Sequence, residues 1–161
     1  MQVENLRFAN DEDLKARLLP MLIGRVFHLT TLQGYAGILQ DGLIGSNKNG
    51  RYPATCSQSG VSYFRQKGCV SLVDLRNTSE EDLEAGLRKY YFLNKFSSNK
   101  SVFLVLKPEC CSDIIPSSDS KEEGVGAMIV PEFEAGFKDA APIDSIEGAI
   151  FVEVDEHPDA F

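Results

Sequence analysis

Tryptophan is absent from this 161-residue chain, histidine occurs twice and cysteine four times. Long apolar runs are missing as well. No stretch approaches the ~20 residues that a membrane-crossing helix requires, so no membrane association is expected. The first residues, MQVENLRFANDEDLKAR, are polar and carry no apolar signal-peptide region. The cysteines are Cys56, Cys69, Cys110 and Cys111. They form no CxxC, and no histidine lies at metal-ligand spacing from any of them. Adjacent cysteines such as Cys110 and Cys111 bridge each other poorly. The expectation is therefore reduced thiols in a cytoplasmic protein without a metal site. Phosphate-cradling glycine motifs are lacking too. Gly124 and Gly126 have neither a third glycine nor a following helix, which excludes a Rossmann or P-loop reading. Positive charge is in deficit, with Lys+Arg 16 against Asp+Glu 24 and a net charge of −8. This balance argues against a protein that coats duplex nucleic acid or an anionic membrane.

The composition that remains, 43% hydrophobic and 25% charged, fits one domain over residues 1–161, with a core at about 21–155. The charge is unevenly spread. Residues 1–100 carry 13 Lys/Arg and 10 Asp/Glu, whereas residues 101–161 carry 3 and 14. The pattern reads first as a solvated acidic surface, with a functional cleft of one basic and one acidic wall as the alternative.

Residue patterns divide the chain into short elements. Asn10 caps a helix from Asp11 to Leu19 that Pro20 should stop. RVFHL, Arg25 to Leu29, reads as a strand. Thr30 or Thr31 then caps a helix from Leu32 to Gln40, with Gly42 placed to end it. Leu43 and Ile44 begin an extended piece, and residues 45–60 form a glycine- and serine-rich loop of the length that often binds ligands. Val61 to Phe64 and Cys69 to Leu75 read as strands. Thr78 and Glu81 fit a capping box for a helix from about Ser79 to Phe96. Ser101 to Leu106 is a buried strand. Ala127 to Phe137 is a strand whose middle Pro131 demotes to an edge or bulge. Ile143 to Ile146 forms a helical turn before the last strand, Ala149 to Val154. This order gives an α+β fold with mixed or antiparallel sheets.

Of the two histidines, His157 lies in an acidic tail and His28 in an apolar strand. Composition alone makes His28 a core histidine. Its surroundings, VFHLTTLQGYAGILQDGLI, form a strand, a His-x-Thr, an amphipathic helix and an Ile-Leu-x-x-Gly-Leu. The stretch resembles the first motif of the ADP-ribosyltransferase superfamily, closest to the diphtheria-toxin-like His-Tyr-Glu class and to bacterial DNA-modifying toxins. VPEFEAGFKDAAPIDSIEGAIFVEV resembles the family's final motif, a strand glutamate followed by a loop, a Pro-apolar-x-x-Ile and the last strand. CVSLVD also resembles a strand of abortive-infection proteins. The two main likenesses cover roughly residues 25–45 and 127–154, with the middle unaligned.

The resemblance implies a split mixed or antiparallel β-sheet core with flanking helices. It implies NAD as substrate and no metal. His28 would orient the ribose and, with Thr30, hold NAD. Glu134 would stabilise the cation that forms as nicotinamide leaves. Glu132 is the competing carboxylate, and alternation along a strand places both glutamates on one face. Tyr63 would stack on nicotinamide, with Tyr52 as the alternative, and Ser71 marks a serine-type strand. Arg51 and Arg65, with Lys67, would hold the pyrophosphate or a polynucleotide acceptor. The expected function is transfer of ADP-ribose to a macromolecular acceptor (protein, DNA or RNA), in a toxin or defence setting with a cognate antitoxin or toxin. The alternative is an inactive binding module, an antitoxin or a nucleotide sensor. An RNA 2′-phosphotransferase is disfavoured, because it needs a second histidine within a basic cluster.

Overall fold

In a computed structural model, residues 1–50, 62–94, 98–117 and 129–156 are described. The expectations for Arg51, Tyr52, Cys56 and His157 lie outside them. The described elements run β1 (Gln2–Phe8), α1 (Asp11–Leu22), β2 (Val26–Thr30), α2 (Leu32–Asp41), β3 (Leu43–Gly45), α3 (Tyr63–Gln66) and β4 (Cys69–Asp74). There follow α4 (Glu80–Lys89), β5 (Lys100–Leu106), β6 (Ile115–Pro116), β7 (Glu134–Lys138), β8 (Ala140–Pro142) and β9 (Ile146–Val154). Seven strands form one sheet in the order β1-β9-β5-β2-β4-β7-β6, and β3 pairs with β8 in a second, two-stranded sheet. All ladders are antiparallel except β1 with β9. The fold is thus α+β with a mixed, mostly antiparallel sheet.

Both faces of that sheet are covered. Phe27, Val73, Phe103 and Val105 join Leu14, Leu18 and Leu22 of α1 and Leu83 and Leu87 of α4 on one side. Val26, Leu72, Val102 and Leu104 join Ile38 of α2, Ile44 of β3 and Ala141 of β8 on the other. Covering both faces explains why β5 reads SVFLVL: every residue from Ser101 to Leu106 is buried, and a strand sandwiched this way needs no polar alternation. The helix ends follow their expected chemistry. Asn10 accepts from the Asp13 N–H at 3.0 Å and Thr31 from the Gly34 N–H at 3.0 Å. Gly42 closes α2 at φ 72°, in the left-handed region where a side chain would be strained.

Several expectations require correction. β1 is hidden in the sequence because it is polar; as an edge strand it buries only Phe8 fully, yet it pairs with β9 over seven residues. The core therefore begins well before residue 21. Helix α1 runs through Pro20 to Leu22. Pro20 forfeits one helical bond in the last turn, a cost set against full burial of Leu22 at 0% exposure, itself worth ~1.5–3 kcal/mol. Ser79, not Thr78, caps α4, accepting from the Asp82 N–H at 3.1 Å, and α4 ends at Lys89 rather than near Phe96. Tyr63 and Phe64 belong to a one-turn helix, not a strand. Within the described part of the strand expected from Ala127 to Phe137, pairing begins at Glu134, because the Val130 carbonyl accepts from the Glu134 N–H at 2.9 Å and closes a turn over Pro131 to Phe133.

Four ion pairs among the described residues join the two parts of the charge asymmetry. Arg7–Asp155, Arg25–Glu147, Lys89–Glu132 and Lys100–Glu153 each pair a cation of the first 100 residues with an acid of the last 61. The topology interleaves the two parts, since β9 lies between β1 and β5.

Candidate functional site: the seam between two central strands

Strand β2 treats its two neighbours differently. It pairs with β5 from Phe27 through Thr30. With β4 it pairs only at Val26↔Asp74 and Phe27↔Val73, while β4 continues to pair with β7 as far as Cys69. The ladder between β2 and β4 therefore ends just before His28. A side chain replaces the next rung: His28 Nδ1 lies 2.9 Å from the Ser71 carbonyl oxygen. A carbonyl oxygen can only accept, so Nδ1 carries the proton and, in the neutral ring, Nε2 is the acceptor nitrogen. Ser71 contributes twice. Its carbonyl takes the imidazole, and its hydroxyl lies 3.2 Å from the Ser62 hydroxyl.

Thr30 sits two residues beyond His28 on the same face and is 9% exposed. Its hydroxyl occupies the space where a Cβ on residue 34 would fall, so Gly34 is what lets the first turn of α2 lie on the end of β2. His28, Thr30 and the Thr31 cap thus form one local unit, set by the strand-to-helix sequence HLTTLQG.

Glu134 opens β7, across β4 from β2. Its Cα partner is Val73, whose partner on the other side is Phe27, so the three residues share one rung about 10 Å wide. One carboxylate oxygen is fixed: the Val130 N–H donates to Glu134 Oε2 at 2.8 Å. Alternation gives the relation between the two candidate residues. His28 opposes Leu104, which belongs to the α2-side core. Glu134 opposes Val73, which belongs to the α1/α4-side core. His28 and Glu134 leave the sheet on opposite faces, one on each side of the β2/β4 seam.

Glu132 does not share a strand face with Glu134, as alternation suggested. It lies in the turn of residues 131–133, its side chain only 13% exposed and paired with Lys89 of α4. Desolvation pushes its carboxyl up, but the hydrogen bond and charge of Lys89 outweigh this and hold it below the ordinary carboxylate value. The other oxygen, Oε2, is buried without a hydrogen-bond partner among the described residues.

Tyr63 is 6% exposed and packs edge-on against Phe64, ring centroids 5.1 Å apart, with Lys67 Nζ 5.8 Å from its ring centre. It belongs to a small cluster with Phe64 and Cys69 at the outer end of β4. Arg65 donates through Nε to the Asn47 carbonyl at 3.1 Å, tying α3 to the segment after β3. The structure thus joins His28 to Ser71 and joins Arg65 and Tyr63 to the same end of β4, with Glu134 one strand further on. Ser62, Lys89 and the Val130 N–H were not legible as site residues. Ser62 lies in a serine-rich stretch with no pattern of its own, Lys89 and Glu132 are 43 residues apart, and a backbone donor leaves no mark in sequence.

Among the described residues no group of three His, Cys, Asp or Glu side chains could hold a metal ion, and no helix is long and apolar enough to cross a membrane. Comparison with family models, curated proteins and solved structures finds no match.

Proposed function

We propose that the chain is an NAD-dependent ADP-ribosyltransferase that passes ADP-ribose to a macromolecular acceptor, protein or nucleic acid, with release of nicotinamide. The observation that carries this reading is the seam. The ladder beside His28 stops after two rungs, leaving an imidazole aligned by the Ser71 carbonyl and a carboxylate aligned by the Val130 N–H. A dinucleotide crossing the seam would meet His28 on one side and Glu134 on the other. Nε2 would accept a hydrogen bond from a ribose hydroxyl. Cleavage of the nicotinamide bond builds positive charge on the ribose, as in glycoside hydrolysis. Glu134, held by a backbone donor and needing no reorganisation, would stabilise that charge.

The test is release of nicotinamide from NAD, followed by transfer of label from NAD to lysate components. Activity lost in both His28→Ala and Glu134→Gln, with melting unchanged, is the expected result. Wild-type protein that releases no nicotinamide and transfers no label would sink it. The burial of Tyr63 favours a second reading, a binding module that retains the fold without turnover, since a ring packed in a cluster is not presented for stacking. That module would bind NAD in calorimetry and release nothing.

A further inference from the structure

The turn that delivers Glu134 to β7 is held from several elements: α4 and the Phe92 that follows it, the Asp74 N–H of β4, and the Ser117 hydroxyl, which donates to the Pro131 carbonyl at 2.6 Å. The Phe133 ring fills the space a Cβ on Gly86 would need, and packs edge-on against Phe92 at 5.2 Å. The Phe133 carbonyl accepts from the Asp74 N–H at 2.8 Å. One residue earlier, Glu132 turns back onto the end of α4 and pairs with Lys89. One residue later stands Glu134, its Oε2 held by Val130 from the start of the same turn.

Lys89 is the cation paired with Glu132, and the second carboxylate oxygen is buried with no hydrogen-bond partner among the described residues. A largely buried carboxylate with a single cation depends on that cation: without it, the group must leave its site or take up a proton. Either change loosens the segment between Val130 and Glu134. Lys89 carries no such dependence itself, since its side chain is 52% exposed.

The geometry points to Lys89 as a positioning residue: through the ion pair with Glu132 it fixes the turn of residues 131–133 and so aims the Glu134 carboxylate. This rests on the role proposed for Glu134, and it assigns Glu132 to anchoring rather than to the role of the competing carboxylate. A charge on one helix thereby sets the geometry of a carboxylate on a strand two elements away.

The experiment compares Lys89→Met, Lys89→Arg and Lys89→Met combined with Glu132→Gln, all as full chains. Two readouts are taken: nicotinamide release from NAD, and hydrogen exchange at the Val130 amide, which reports the Glu134 bond without requiring turnover. Lys89→Met is expected to lower kcat ~10-fold with KM for NAD little changed, as misplacement of a reacting group does. Its Val130 amide should exchange ~10-fold faster, as a local opening would allow. Lys89→Arg should restore both. The double variant should recover most of both, because a neutral amide side chain at position 132 needs no cation. Lys89→Met with wild-type kcat and wild-type exchange overturns the proposal. So does a double variant as impaired as Lys89→Met alone, which would make the Glu132 charge itself the requirement. A wild-type chain that releases no nicotinamide removes the functional reading instead, and the Val130 exchange still decides whether Lys89 fixes the turn.

Discussion

The two sides of β2 show what the same strand does under different constraints. Toward β5 it pairs through Thr30, and its side chains meet a strand buried on both faces. Phe27 packs against Phe103 with centroids 5.7 Å apart and against Phe92 at 5.3 Å. Toward β4 the backbone pairs twice and then yields to a histidine side chain. The closed side packs the core, and the parted side carries the residues of the proposed site. Stability and function are thus expected to separate by side.

The sharpest way to break that comparison is on the closed side. Phe103 is fully buried at 0% exposure, so Phe103→Ala should cost ~3–5 kcal/mol of stability. His28→Ala, on the parted side, should cost less than ~1.5 kcal/mol, the net worth of one hydrogen bond. Urea denaturation of both variants checks the pair. Equal losses would mean that the seam is as structural as the core. Next in size is Glu134→Gln. It should reduce nicotinamide release ~100- to 1,000-fold, the range for losing one preorganised electrostatic group, while leaving the urea midpoint nearly unchanged. A large stability loss with little effect on release would move Glu134 to the closed side's account.

A smaller effect is expected at the join between β2 and α2. Gly34→Ala places a methyl group against the Thr30 hydroxyl and should cost ~1–3 kcal/mol by overpacking. Combining it with Thr30→Ala removes the obstacle, and the double variant should be more stable than Gly34→Ala alone. If it is not, the Gly34 contact is not what sets the approach of helix to strand.

What sequence made legible follows the same division. β5, the Thr31-capped helix and the Gly42 stop were readable because local chemistry and burial agree there: a continuous apolar run, a capping hydroxyl, a left-handed glycine. β1 was not, because an edge strand borrows its stability from a partner almost 150 residues away, and its polar face carries no period. The strand at Ala127 reads too long because Pro131 and the Val130 carbonyl build a turn whose hydrogen bonds are backbone ones. His28 could be singled out from its strand-to-helix setting. Its partner, a carbonyl on β4, could not, since any residue has one. The Glu132 pairing with Lys89 was hidden by 43 residues of separation.

The smallest effect concerns Asp74, which lies on one of the two closed rungs beside the seam. It opposes Val26 in the register. Desolvation pushes its carboxyl up, but Arg76, donating to both its oxygens at 2.9 and 2.7 Å, outweighs this and holds the pKa below the ordinary carboxylate value. The sign follows from linkage. A carboxyl whose pKa is lower folded than unfolded stabilises the fold fully above its unfolded value, near ~3.9, and loses that contribution as pH falls through the folded value. The contribution should be modest, at most ~1 kcal/mol, because the Arg76 side chain is 38% exposed and solvent screens the pair. Arg76→Gln should therefore lower the urea midpoint slightly at pH 7 and converge with wild type once pH has fallen through the folded value, where the carboxyl is protonated in both chains. A gap between the two that persists unchanged in acid would mean that Arg76 supports the rungs by packing or through its long contact with the Cys111 carbonyl at 3.5 Å. The charge on Asp74 would then have no part in keeping β2 and β4 joined up to the point where they separate.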